Sequence, residues 1–167
     1  EGYLPDAMVN YLALLGWSYD DSQTIFKRDD LIRKFALEKV SKNPAVFDIT
    51  KLQWMNGVYI RDLSLDEFYQ IALPLFQSWG YISEEVTSEE ESRLKAILAI
   101  LQERVKLLSE LKEASYYFFE DELRYNEKAL NKVLFKEGAA EVLNALLPEL
   151  LNVKDYTQEN LEPLFRK

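Results

Sequence analysis

Apolar residues recur along this chain at intervals of three and four, the spacing of a helix that buries one face. Met8, Tyr11, Leu12 and Leu15 form the first set; Pro5 suits the turn ahead of them, Asp6 favours its positive end, and Gly16 is a natural stop. Residues 28–36 predict a second helix with Leu31, Ile32 and Phe35 on one face, and Asn43-Pro44 predicts a loop. Asp48 caps a predicted helix over 49–60, with Leu52, Met55 and Tyr59 inside. Ser64 with Glu67, and Thr87 with Glu90, are capping boxes. The first opens a helix through Phe68, Ile71, Ala72 and Leu75, which Pro74 should bend or end and Trp79-Gly80-Tyr81 should close. The second opens the longest predicted helix, 88–114, striped by Leu94, Ile97, Leu98, Leu101, Val105, Leu108 and Leu111. A further helix or turn is expected over 115–123, two helices over 126–136 and 138–151, and a last one capped by Thr157. No stretch reads as a strand and no repeat is visible, so the predicted class is all-α with short connections.

Composition narrows the chemistry. With 167 residues, 48% of them apolar and 13% aromatic, the chain can bury a core. No apolar run approaches the ~20 residues that span a bilayer. There is no cysteine and no histidine, which removes disulfides, thiol nucleophiles, and the commonest general base and metal ligand. The 5 glycines are too scattered to cradle phosphate. A net charge of −9 argues against nucleic acid, but the acidity is local: residues 63–126 hold 13 acidic and 6 basic groups, while the flanks are nearly balanced. Lys27, Arg28, Arg33, Lys34, Lys39 and Lys42 cluster within 27–42, and such a patch can bind RNA on an acidic protein.

On a continuous helix over 88–114, Arg93 and Arg104 stand eleven residues apart and project within about 20° of each other. They fall at the edge of the apolar stripe, where an arginine packs its stem and presents its head, whereas Lys95 and Lys106 point to solvent. From spacing alone, the plainer reading is that Arg104 pairs with Glu103, Glu110 or a neighbouring helix. Trp54 reads as core, and Tyr116-Tyr117-Phe118-Phe119 reads as inter-helix core rather than a base-stacking platform.

Two stretches carry a family resemblance. Phe47 to Arg61 contains an aspartate, a Lys51-Leu52 pair, Trp54-x-Asn56 and Tyr59-Ile60-Arg61 in succession, and Gly2-Tyr3-Leu4-Pro5-Asp6-Ala7 runs into Asn10 to Ser18. Both resemble bacterial-type glutamyl-tRNA synthetases, class I, in the segment that follows the lysine-rich signature loop. The resemblance implies a tRNA-binding part without the catalytic core, so the chain would not activate glutamate by itself. It further implies a stem-contact region (1–62), a helical anticodon-binding unit (63–126), and the start of a second, truncated unit (127–167). Opening on Glu1 rather than Met and ending abruptly at Phe165-Arg166-Lys167, the chain reads as a piece of something longer. In the family an arginine followed by an apolar residue on this helix reads the third anticodon base; Arg104-Val105 matches it, with Arg93 as a second candidate. Lys42, Lys51, Asn56 and Arg61 would meet the tRNA backbone or stem. Implied partners are tRNA(Glu) and the catalytic domain of the same parent chain; the resemblance also implies a monomer in the cytoplasm, with no membrane. No cofactor is expected on this chain, whereas the parent would use ATP and Mg. The competing reading, from the acidic surface and amphipathic helices, is a helical protein–protein interaction module; an enzyme without histidine or cysteine comes third.

Overall fold

The computed structural model describes residues 1–20, 22–42 and 44–166, so Asn43 of the expected loop and the terminal Lys167 lie outside the described residues. The chain is all-α: the described residues contain no strand. The helices are α1 (Pro5–Ala13), α2 (Arg28–Lys34), α3 (Ile49–Asp62), α4 (Leu65–Ser78), α5 (Ser88–Leu101), α6 (Leu111–Ser115), α7 (Glu127–Ala129), α8 (Ala139–Leu151) and α9 (Gln158–Phe165). They divide into two compact units, Glu1–Asp121 and Glu122–Lys167.

Local chemistry sets most helix starts. Asp48 accepts from the N–H groups of Thr50 and Lys51 at the head of α3. Both capping boxes form, Ser64 with Glu67 on α4 and Thr87 with Glu90 on α5, so each satisfies two otherwise orphaned N–H groups. At Gly16 the backbone takes φ 93°, a left-handed conformation that stops the chain from continuing α1. In α4 the chain passes through Pro74 and runs on to Ser78, so the proline does not end it.

In the Glu1–Asp121 unit the main core joins α4 and α5 through Phe68, Ala72, Phe76, Leu94, Leu98 and Leu101. Leu4 just ahead of α1, Ala7 of α1 and Ile60 of α3 enter the same core, so the two sides of the expected 62/63 boundary share one interior. A second cluster holds Tyr11, Leu52 and Met55, and a third holds Trp17, Phe26 and Leu31. The expected inner face of α2 is corrected: only Leu31 is buried, while Ile32 is 68% exposed and Phe35 is at the surface against Trp17. A helix of two turns presents one ridge inward, and Leu31 occupies it.

The longest predicted helix is broken. α5 ends at Leu101, and after a turn and a short 3-10 segment the chain resumes as α6. The apolar stripe nevertheless persists, with Val105 and Leu111 buried and Leu108 packed against the core. Where the helix has ended, backbone groups in the turn are satisfied outside a helix, by both distant and nearby partners. The Lys106 carbonyl accepts from the Asn56 side chain, the Leu108 N–H donates to the Gly2 carbonyl, and the N–H groups of Lys106 and Leu107 donate to the Glu110 carboxylate. Arg93 and Arg104 therefore do not share a helix, and their projection to one side does not hold.

In the Glu122–Lys167 unit no described residue is buried. α7 passes into a π-helical turn at Leu130–Leu134, and α8 and α9 enclose a cleft of about 430 Å³ between Val142, Leu146 and Phe165. No helix among the described residues is long and apolar enough to cross a membrane.

Two outcomes are expected. Phe76 is fully buried, with the rings of Trp79, Phe119 and Tyr81 at 5.1, 5.6 and 6.3 Å. Phe76→Ala should cost about 3–5 kcal/mol in urea unfolding, and a loss under 1 kcal/mol would contradict this core. The Glu90 carboxyl is held down to about 2, first by the Thr87 N–H and then by the Ser83 hydroxyl and N–H. Its folded value lies below the ordinary 4.5, so the cap stabilises fully above that pH and the contribution is lost as pH falls through 2. NMR titration of the Glu90 side chain should give a midpoint near 2, rising part of the way towards 4.5 in Ser83→Ala, which removes the Ser83 hydroxyl and leaves the Thr87 N–H in place.

Candidate nucleic-acid interface

α3 has two faces of opposite character. Leu52, Met55, Asn56 and Ile60 point inward and are buried. Lys51, Trp54, Val58 and Arg61 follow at steps of three and four and form an outer ridge about 15 Å long. Lys51 is exposed, Arg61 is half-buried, and Trp54 is 45% exposed. Trp54 is thus a correction: it is not core, because the inner positions on either side of it are filled by Leu52 and Met55. An exposed indole between two cations is a surface that can stack on a base while the cations meet phosphate. Sequence reasoning missed the exposure of Trp54 because it judged the residue by size; the spacing 51, 54, 58, 61 carried the signal.

Beside the ridge, Asn10 and Tyr59 fix the chain that leads into α2. Asn10 accepts from the Phe26 N–H at 2.8 Å and donates to the Thr24 carbonyl at 3.0 Å. The Tyr59 hydroxyl lies 2.6 Å from Asn10 Oδ1 and 2.5 Å from the Phe26 carbonyl, and burial pushes the phenol up to about 12. The result is a cleft of about 310 Å³ lined by Lys27, Asp30, Val58 and Tyr59, so Val58 joins the ridge to the cleft.

Asn56, expected at the tRNA backbone, is corrected. It is fully buried, its Oδ1 accepts from the Leu4 N–H at 2.7 Å, and its Nδ2 donates to the Lys106 carbonyl at 2.5 Å. No atom of its amide is left for a ligand. Next to it, Gly57 allows a close approach: a Cβ there would lie 3.2 Å from Arg61 Nη1 and 3.3 Å from Lys106 Cγ. Two basic side chains therefore converge over one glycine, and Lys106 joins Arg61 in a way that spacing did not reveal.

The remaining candidates separate. Arg104 is exposed in the turn after α5, its guanidinium hydrogen-bonded to none of the described residues. Arg93 donates to the Phe118 carbonyl and lies 5.2 Å over the Phe119 ring, so it ties α5 to the 116–119 segment. That segment is largely structural, with Phe119 stacked on Tyr81 at 4.7 Å. Lys42 is exposed. Within the cluster at 27–42, Arg28 pairs with Asp6 at 2.8 Å, Arg33 pairs with Asp30, and Lys34 sits 4.2 Å over Tyr19. Those three charges are partly satisfied internally. Lys95 does not point to open solvent: it bridges Asp66 at 2.7 Å and Glu91 at 2.8 Å, which push it above the ordinary lysine range. Among the described residues no three acidic side chains come together as a group that could hold a metal ion.

The chain is similar to known proteins along its whole length. Residues 67–167 match the family model of the anticodon binding domain, and residues 1–54 match that of the catalytic domain of class I tRNA synthetases (E and Q). A glutamate–tRNA ligase of Carboxydothermus hydrogenoformans is 40% identical over 167 residues, covering 100% of this chain and 35% of that protein. One of Moorella thermoacetica is 37% identical over 166 residues, covering 99% and 34%. The crystal structure of a glutamate tRNA ligase from Elizabethkingia meningosepticum in complex with its amino acid superposes with a TM-score of 0.76 at 26% identity, over 99% of this chain and 31% of that one. The chain thus spans about a third of the length of the curated relatives it matches. Because the match over 67–167 takes in more than half of its residues, and the all-α fold agrees, the chain belongs to the anticodon binding domain family.

Proposed function

We propose that this chain is the tRNA-gripping portion of a glutamate–tRNA ligase, and that it positions tRNA(Glu) for ATP-dependent glutamylation. The observation that carries this reading is the outer ridge of α3, Lys51-Trp54-Val58-Arg61, with Lys106 converging on Arg61 at Gly57. Cations at these spacings suit a phosphate backbone, and the indole suits an unpaired base. Residues 1–62 take the stem-contact role, 63–126 the anticodon role, and 127–167 the start of a second helical unit. Lys42, Lys51 and Arg61 hold the backbone. Arg104 reads the third anticodon base, for which its planar, exposed fork is suited, while Arg93 supports the segment behind it. ATP and Mg belong to the catalytic portion carried by the longer relatives, so residues 1–167 do not activate glutamate. The whole enzyme acts as a cytoplasmic monomer.

A helical protein-interaction module is the second reading, favoured by exposed Leu37 (75%) and Val46 (86%). Ionic strength separates the two, since phosphate contacts weaken steeply with salt and apolar docking does not.

Fluorescence anisotropy with tRNA(Glu) at low salt tests the reading. Lys51→Ala and Arg61→Ala should each lower affinity for every tRNA alike and reduce the salt slope by about 1. Arg104→Gln should instead erase the preference for the cognate third anticodon base, a difference of about 1–3 kcal/mol. Salt-independent binding, or an anticodon preference that survives Arg104→Gln, would overturn the respective assignment. ATP–pyrophosphate exchange by this chain should give no signal.

A further inference from the structure

Asn56 lies between the two matched segments, 1–54 and 67–167, and hydrogen-bonds to both. On one side its Oδ1 takes the Leu4 N–H at 2.7 Å, and its Nδ2 is 3.5 Å from the Gly2 carbonyl. On the other side its Nδ2 holds the Lys106 carbonyl at 2.5 Å. The same two strips of chain are stitched directly as well. The Leu108 N–H donates to the Gly2 carbonyl at 2.9 Å, and the Ser109 hydroxyl donates to the Glu1 carbonyl at 3.1 Å. Gly2 makes this contact possible, because at φ +88° a Cβ would stand 2.5 Å from the Ser109 nitrogen. Gln102 fastens the other end of the turn, donating to the Ile60 and Leu63 carbonyls at 2.9 and 2.8 Å. The turn that bears Arg104 and Lys106 is thus fixed against α3 by two amide side chains.

We propose that Asn56 is a positioning residue for tRNA recognition. It holds the Arg104 turn at a set distance and angle from the α3 ridge, so that one tRNA is gripped at two places by one rigid body. This rests on the tRNA-binding reading above. Two contacts on a rigid frame reinforce each other because the second is made without a further search; a loose joint forfeits that reinforcement while each contact alone stays intact. Asn56 touches no tRNA in this scheme. Its buried amide suits the task because it donates and accepts at once, linking an N–H to a carbonyl that neither neighbour could satisfy alone.

The test uses this chain with three RNAs: whole tRNA(Glu), the anticodon stem-loop alone, and a tRNA from which the anticodon arm is deleted. The variants are Asn56→Ala, Asn56→Asp and Gln102→Ala. Asn56→Asp keeps the acceptor for Leu4 and places a carboxylate against the Lys106 carbonyl. Circular dichroism and urea midpoints identify which variants fold. In every folded variant, affinity for whole tRNA should fall about 2- to 30-fold, while affinity for either part changes less than about twofold. Failure of both Asn56→Ala and Asn56→Asp to fold would overturn the positioning role and leave Asn56 as support for the fold, and Gln102→Ala reports on the other end of the turn only. Equal losses for whole and parts, or no loss in a folded variant, would overturn the positioning role and leave Asn56 as local support. If the unaltered chain binds none of the three RNAs, the tRNA-binding reading fails first, and this inference with it.

Discussion

The Glu1–Asp121 unit depends on backbone groups in the turn after α5 being satisfied sideways rather than along a helix. A buried carbonyl or N–H without a partner costs about 1–3 kcal/mol, so a chain leaving helical geometry must find replacements. Here the replacements come from Asn56, Gly2 and Glu110. Val105 and Leu111 stay in the core, so the break loses little apolar burial. It turns the chain back across α3, and that crossing brings Lys106 to Arg61.

The same economy explains how an acidic chain can present cations. Much of the negative charge of residues 63–126 works within the fold. Glu67 and Glu90 close capping boxes, Asp66 and Glu91 hold Lys95, and Glu110 holds the turn. Carboxylates engaged in this way project less field into solvent than their number suggests. The outer ridge of α3 lies among residues 1–62, where the charges nearly balance.

What could be read in the sequence follows the range of the interactions. Asp48, Ser64 and Thr87 act on N–H groups two or three residues away, and each cap was legible at its own position. The end of α5 was not, because the turn that follows it is held by Asn56, 50 residues away, and by the N-terminal strip, 108 residues away at Glu1 and Ser109. The stripe from Leu94 to Leu111 kept helical spacing through the break, so periodicity alone predicted a continuous helix. Asn56 and Trp54 were misread for a related reason. One is polar and buried, the other apolar and exposed, and residue type outweighed the position on α3. Gly57 carried a signal that went unused: a glycine inside a helix invites the question of what approaches it.

The tryptophans described above, Trp17 in its aromatic cluster, Trp54 on the ridge and Trp79 beside Phe76, are the 3 in the chain, and all lie within Glu1–Asp121. Intrinsic fluorescence excited at the indole band therefore reports on that unit and is blind to α8 and α9. Far-ultraviolet ellipticity sums over every helix, including those of the unit in which no described residue is buried. The two spectroscopies sample different parts of one polypeptide, so superimposable melting curves would be a finding about cooperativity rather than a default.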